Sequence, residues 1–132
     1  MKKVLVLCTG NSCRSIMAEG LIKKYLPDVE VFSAGSRPTG FVVKNSRKIL
    51  EDEGVWSDKF YSKSIDDLAE FEPFDIVVTV CDNAKESCVN YTKGKEHLHF
   101  PISDPFLKPF EEFKKTRDLI VNELIPKIKV RL

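Results

Sequence analysis

The sequence predicts a parallel, doubly wound α/β fold, and three observations predict it. Short continuous apolar runs, such as Val4-Leu5-Val6-Leu7 and Ile76-Val77-Val78, read as strands buried on both faces. Between such runs lie stretches whose apolar residues recur at spacings of three and four, the period of a helix packed on one side. No internal repeat, low-complexity segment or linker interrupts this alternation, and 132 residues leave room for one core, so residues 1–132 are expected to form one domain.

Strand one covers residues 4–7 and ends at the turn-prone Thr9-Gly10-Asn11. Ala18, Leu21, Ile22 and Tyr25 then mark a helix over 15–26, stopped by Pro27. A second apolar run over 29–32 is closed by Ser33-Ala34-Gly35, and residues 44–53 read as a helix stopped by Gly54. Ser64 opens a further helix, with Asp67 three residues on to meet free backbone N–H groups and Ile65 and Leu68 as its apolar side. Residues 75–80 are the clearest buried strand, with Cys81 at the carboxyl end, and residues 97–100 give a shorter fourth strand. Phe106, Phe110, Phe113, Ile120 and Leu124 describe a final amphipathic helix that Pro126 ends or kinks. The longest irregular stretches are 37–43 and 85–96.

Twenty-one basic against twenty acidic side chains leave a net charge of +1, which supplies no field for nucleic acid or an anionic membrane. Any bound anion must be held locally. Met1-Lys2-Lys3 precedes an apolar run too short for a signal-peptide core or a membrane span, so a cytoplasmic location is expected. In that reducing compartment Cys8, Cys13, Cys81 and Cys88 are expected as thiols with catalytic, metal-binding or packing roles rather than as a permanent disulfide frame.

In open α/β sheets ligands bind beyond the carboxyl ends of the strands, where this chain carries Cys8, Cys81 and Asp104. Cys8-Thr9-Gly10-Asn11-Ser12-Cys13-Arg14-Ser15 is a Cys-x5-Arg loop between a strand and a helix N-terminus. Its amides are suited to form an anion nest, the helix dipole adds positive potential, and Arg14 offers a two-pronged fork, a cradle for a tetrahedral oxyanion. The same field favours the thiolate of Cys8 and makes it the candidate nucleophile. If strands one and three are neighbours, as in the order 2-1-3-4, a transient Cys8 to Cys81 disulfide is geometrically reasonable, since adjacent strands lie about 4.8 Å apart. Cys13 reads as structural. His97 and His99, alternating with Leu98 and Phe100, read as the polar face of a strand, and Trp56 as packing.

Cys8 to Ser15 with Met17-Ala18-Glu19-Gly20, Ser33-Ala34-Gly35 and Asp104-Pro105 resembles the low-molecular-weight tyrosine phosphatase superfamily along essentially the whole chain. Cys81-Asp82-Asn83-Ala84-Lys85-Glu86-Ser87-Cys88 resembles the redox loop of its thioredoxin-coupled arsenate reductases, as does Ile16 where phosphatases commonly carry Pro; Phe106 resembles the aromatic residue of the phosphatases. The resemblance implies a three-layer, four-stranded sheet in the order 2-1-3-4. It also implies arsenate reduction by a Cys8-Cys81-Cys88 relay with thioredoxin as reductant, Arg14 and the loop residues Thr9, Gly10, Asn11, Ser12, Cys13 and Ser15 holding the arsenate or phosphate oxyanion, and Asp104 as proton donor. No further cofactor is implied beyond a potassium ion at Asn11, Glu19 and Ser33, whose remaining acidic ligand would fall about where Ser64 stands, with Asp66 nearby. A monomer is expected, and phosphomonoester hydrolysis through a cysteinyl-phosphate is the alternative activity. A non-enzymatic oxyanion-binding or redox-sensing module is a third reading. A helix joining Cys81 to Cys88 would hold them about 10.5 Å apart, beyond the roughly 7 Å that a disulfide tolerates, so a helical segment there is expected to unwind when that bond forms.

Overall fold

A computed structural model of the chain describes residues 1–82, 91 and 93–132. The elements are β1 (Lys3–Cys8), α1 (Arg14–Tyr25), β2 (Glu30–Gly35), α2 (Lys44–Asp52), a 3₁₀ helix (Ile65–Phe71), β3 (Phe74–Thr79), β4 (Gly94–His99), α3 (Phe110–Leu119), a π-helical turn (Ile120–Leu124) and α4 (Ile125–Lys129). Among the described residues the strands form one parallel sheet in the order β2-β1-β3-β4, as expected. Cys88 and the residues expected to unwind around it lie outside the described residues.

Alternation along the strands divides the core into two layers. Val4, Val6 and Cys8 of β1 and Ile76 and Val78 of β3 face one cluster with Ile16, Met17, Leu21, Phe113, Ile120 and Leu124. Leu5, Leu7, Ala34, Phe74 and Val77 face the other, covered by Leu68 of the 3₁₀ helix and by Phe32 and Phe71, whose ring centroids are 4.8 Å apart. Helical segments thus cover both faces. α1 is buried from Arg14 through Ile22, because the sheet lies on one side and α2 and α3 on others. Its last residue, Tyr25, read as apolar face, is exposed.

Several boundaries differ from the sequence expectation, each for a physical reason. β2 runs on through Ser33-Ala34-Gly35, which the sequence reads as a turn. These small residues are strand residues because the loop after β1 packs against them: a Cβ on Gly35 would lie 2.5 Å from the Thr9 carbonyl oxygen. β4 begins at Gly94 rather than at residue 97 and is mostly exposed; Lys95 and Glu96 are charges of the kind that protect a sheet edge from pairing further. The segment after Ser64 is a 3₁₀ helix rather than an α-helix, but its capping box is formed as expected: the Ser64 hydroxyl accepts from Asp66 N–H at 3.0 Å and the Asp67 carboxylate accepts from Ser64 N–H at 3.0 Å. The final helix starts at Phe110, and Pro126 does not end it. A proline lacks an N–H and crowds the carbonyl four residues back; the wider π-helical turn just before it accommodates this, and the chain stays helical to Lys129.

Gly35→Ala is expected to destabilise the fold by about 1–3 kcal/mol, since the added methyl meets backbone rather than a side chain that can swing away. A urea-unfolding midpoint equal to that of the parent would show that the loop yields without cost.

Candidate active site

The nucleophile loop owes its shape to the segment that follows β2. The carbonyls of Cys8, Thr9, Gly10 and Ser12 accept hydrogen bonds from the backbone N–H groups of Ser36 (3.3 Å), Arg37 (2.9 Å), Thr39 (3.1 Å) and Val43 (2.8 Å). In a trans peptide the N–H opposes the C=O, so holding four carbonyls outward turns the amides of Thr9, Gly10, Asn11 and Cys13 to the inner side of the loop. Asn11 reaches this geometry with φ at 48°, in the left-handed region that an asparagine tolerates, and its N–H lies 3.2 Å from Cys8 Sγ. α1 begins directly below, with no side chain capping its N-terminus and no acidic residue in its first turn. The positive end of its dipole therefore adds to the nest.

A directed chain of hydrogen bonds runs through the loop. Lys63 N–H donates to Asn11 Oδ1 at 2.9 Å, which fixes the orientation of the amide. The two hydrogens of Asn11 Nδ2 then go to Ser15 Oγ at 2.7 Å and Ser33 Oγ at 3.0 Å. Ser15 Oγ in turn lies 2.9 Å from Cys8 Sγ, and when Cys8 attacks as a thiolate, which can only accept, the Ser15 hydroxyl is the donor. Ser33 donates to Glu19 Oε1 at 2.6 Å, a length typical of a hydroxyl on an ionised carboxylate.

Glu19 and Lys63 are both buried. Lys63 Nζ lies 3.9 Å from Glu19 Oε1 and 3.5 Å from Ser33 Oγ, and donates to the Tyr61 carbonyl at 3.0 Å. Burial pushes the Glu19 carboxyl up from its ordinary range and the Lys63 ammonium down, while each partner's charge works against that loss. The oxygens that the sequence resemblance assigns to potassium are thus already met by a lysine. The acidic residues near the expected fourth ligand serve the 3₁₀ helix instead, Asp66 through its N–H and Asp67 through its carboxylate. Among the described residues no group of three or more His, Cys, Asp or Glu is arranged to hold a metal.

The loop lines a cleft of about 260 Å³ together with Arg14, Arg37, Thr39, Phe41, Asp104 and Phe106. Arg14 is buried; it donates to the Ile102 carbonyl at 3.1 Å and lies 3.6 Å from Asp104 Oδ2. The segment carrying Asp104 is tied to the end of β3 by Ile102 N–H on the Val80 carbonyl at 3.0 Å, and Phe106 N–H holds Asp104 Oδ1 at 3.0 Å. Cys8 and Arg14 of one loop and Asp104 from far along the chain therefore share one cleft. Cys13 also lines it, but burial pushes its thiol up to about 12 despite a hydrogen bond from Ser46, so it stays protonated at neutral pH. Arg37, Phe41, Ser46 and Lys63 carry no motif and were not foreseen. His99 Nδ1 on β4 pairs with Thr79 Oγ1 on β3 at 2.7 Å, and Trp56 packs edge-to-face against Phe60.

β1 and β3 are neighbours, with Leu7 beside Thr79. Cys81 follows two residues beyond β3, fully buried; it is disulfide-bonded, whereas Cys8 and Cys13 are free thiols. It does not line the cleft.

An anion nest with a cysteine at its base, an arginine at the helix start and a carboxylate across the cleft defines a cysteine-dependent oxyanion site on a parallel sheet. The family described as low molecular weight phosphotyrosine protein phosphatase matches residues 3–129, and the chain belongs to it. An arsenate reductase of Halalkalibacterium halodurans is 41% identical over 105 residues, 79% of this chain and 74% of that protein. The crystal structure of an arsenate reductase from Archaeoglobus fulgidus superposes with a TM-score of 0.82 at 25% identity, covering 96% of this chain and 98% of that one. A thioredoxin-dependent arsenate reductase of Corynebacterium glutamicum superposes with a TM-score of 0.73 at 26% identity, covering all of this chain (100%) and 64% of the other.

Proposed function

We propose that the chain reduces arsenate to arsenite, with Cys8 as nucleophile, Cys81 and Cys88 as the thiols that carry the oxidising equivalents outward, and thioredoxin as final reductant. The observation that carries this reading is a second redox-active position, the disulfide-bonded Cys81, just past the strand beside the one that ends in the Cys8 nest. Hydrolysis of a phosphomonoester has no use for it.

Arsenate enters the cleft as an anion held by the loop amides and the Arg14 fork. The Cys8 thiolate attacks arsenic, a sulfur–arsenic bond forms, and one arsenic–oxygen bond breaks, its oxygen taking a proton from Asp104 to leave as water. The Cys81 thiol then attacks the Cys8 sulfur. The sulfur–sulfur bond forms as the sulfur–arsenic bond breaks, and the bonding pair stays on arsenic, which leaves as arsenite, reduced by two electrons. Cys88 next attacks Cys81, freeing the Cys8 thiolate and leaving a Cys81–Cys88 disulfide that the dithiol of thioredoxin reduces. Thiol chemistry of this kind belongs to a reducing compartment, which supports a cytoplasmic location; no helix among the described residues is long and apolar enough to cross a membrane.

Phosphomonoester hydrolysis is the second reading. It is favoured by the family and by Phe41 and Phe106 at the cleft, rings that suit an aromatic leaving group. The two are separated by measuring arsenite formed from arsenate with reduced thioredoxin beside p-nitrophenyl phosphate hydrolysis on one preparation. Arsenite formation through many turnovers is the expected result; phosphate release with no arsenite would assign the chain to the phosphatases.

A further inference from the structure

We propose that the Lys63 ammonium is a built-in monovalent cation: it takes the place of a potassium ion beneath the nucleophile loop and makes the reactivity of Cys8 independent of potassium. The argument starts from Glu19, a buried carboxylate that needs a positive charge close by. Its hydrogen-bond partner Ser33 lies beside Val6 in the sheet, on the same face as Cys8. Lys63 reaches the same spot from the opposite side, held by its own backbone at both ends: its N–H sits on Asn11 and its carbonyl accepts from Gly35 N–H at 2.9 Å. Only 7% of the Lys63 residue is exposed, so this lysine is no surface charge that happens to lean inward. Nζ meets Glu19, Ser33 and the Tyr61 carbonyl, an all-oxygen environment of the sort a monovalent cation takes.

The consequence for Cys8 runs through two shared atoms. Ser33 Oγ accepts from both Lys63 Nζ and Asn11 Nδ2, and Asn11 Nδ2 also donates to Ser15, whose hydroxyl pairs with Cys8 Sγ and donates to it once Cys8 is a thiolate. Lys63 is therefore a positioning residue: it helps to fix Ser33 and Asn11 so that Asn11 Nδ2 points its hydrogen at Ser15 and the Ser15 hydrogen is available to the sulfur. Potassium would have to displace a tethered ammonium to enter, and its loss from solution leaves the chain of hydrogen bonds intact.

The proposal rests on the reading of Cys8 as the reactive thiol, and the test uses alkylation of Cys8 by iodoacetamide, without arsenate, so that the two can fail separately. Alkylation rate and thermal midpoint are compared in potassium chloride and tetramethylammonium chloride at equal ionic strength. The parent protein is expected to behave identically in both salts. Lys63→Met should slow alkylation by about tenfold or more in tetramethylammonium and recover both rate and midpoint in potassium, because an open, negatively charged oxygen site remains. Joint replacement Glu19→Gln with Lys63→Met leaves no unpaired buried charge and keeps the test usable if the single variant does not fold; it should alkylate slowly in both salts. Acceleration of the parent by potassium, an unslowed Lys63→Met, a slowed one that potassium fails to rescue, or a double variant with the parental rate would each overturn the proposal.

Discussion

Cys8→Ser is expected to abolish arsenate reduction and p-nitrophenyl phosphate hydrolysis together, each by on the order of 10⁴-fold or more. The loss is this large because the site is built to hold a sulfur anion and has nothing to deprotonate an alcohol. Asn11 N–H donates to Cys8 Sγ at 3.2 Å, the Ser15 hydroxyl at 2.9 Å is too weak a base to deprotonate an alcohol, and no histidine lines the cleft. The variant should still bind phosphate or arsenate, since the nest and Arg14 are untouched, so binding by calorimetry beside a lost rate separates chemistry from folding. Retained turnover in Cys8→Ser would remove the mechanism.

Cys81→Ser is expected to reduce thioredoxin-driven multiple turnover of arsenate to background while leaving p-nitrophenyl phosphate hydrolysis nearly unchanged. Cys81 lies outside the cleft and makes no part of the nest, so phosphoryl transfer to Cys8 and its hydrolysis by water proceed without it. The reductase cycle is expected to stop at the sulfur–arsenic adduct, because among the described residues no other thiol is suited to accept the Cys8 sulfur. Cys13 is the nearest candidate in sequence, and its thiol is pushed up to about 12 by burial. The unchanged phosphatase rate also serves as the control for folding. Arsenate turnover that survives this substitution would mean that the relay is wired through a different cysteine.

What the sequence made legible follows from where its chemistry is local. β1 and β3 announce themselves because parallel strands covered on both faces are continuous apolar runs. The nest is legible because Cys8 and Arg14 flank a strand-to-helix turn within eight residues, and the amides that form it lie in that stretch, although the 36–43 backbone, Ser33 and Lys63 that hold it do not. Asp104 was legible through its neighbour Pro105 and the family resemblance. The carboxyl half of β2 was not, since Ser33, Ala34 and Gly35 are small for the sake of the loop they carry, and small residues read as a turn. β4 was partly hidden because an edge strand with Lys95 and Glu96 has the composition of a loop. Lys63 was invisible for a different reason. Nothing in Tyr61-Ser62-Lys63-Ser64 distinguishes a buried ammonium from a solvated one, and its partner Glu19 is brought to it only by packing α1 on the sheet.

The most direct test of the relay is to trap its first product. Cys88→Ser, fully reduced, is mixed with one equivalent of arsenate in the absence of thioredoxin, and both arsenite and disulfide-linked peptides are quantified. The predicted result is one arsenite per chain with a peptide joining Cys8 to Cys81, because the cycle runs through reduction and halts where Cys88 would act. Arsenite released while Cys8 and Cys81 both remain free thiols, or a disulfide joining Cys8 to Cys13 in place of Cys81, would contradict the account.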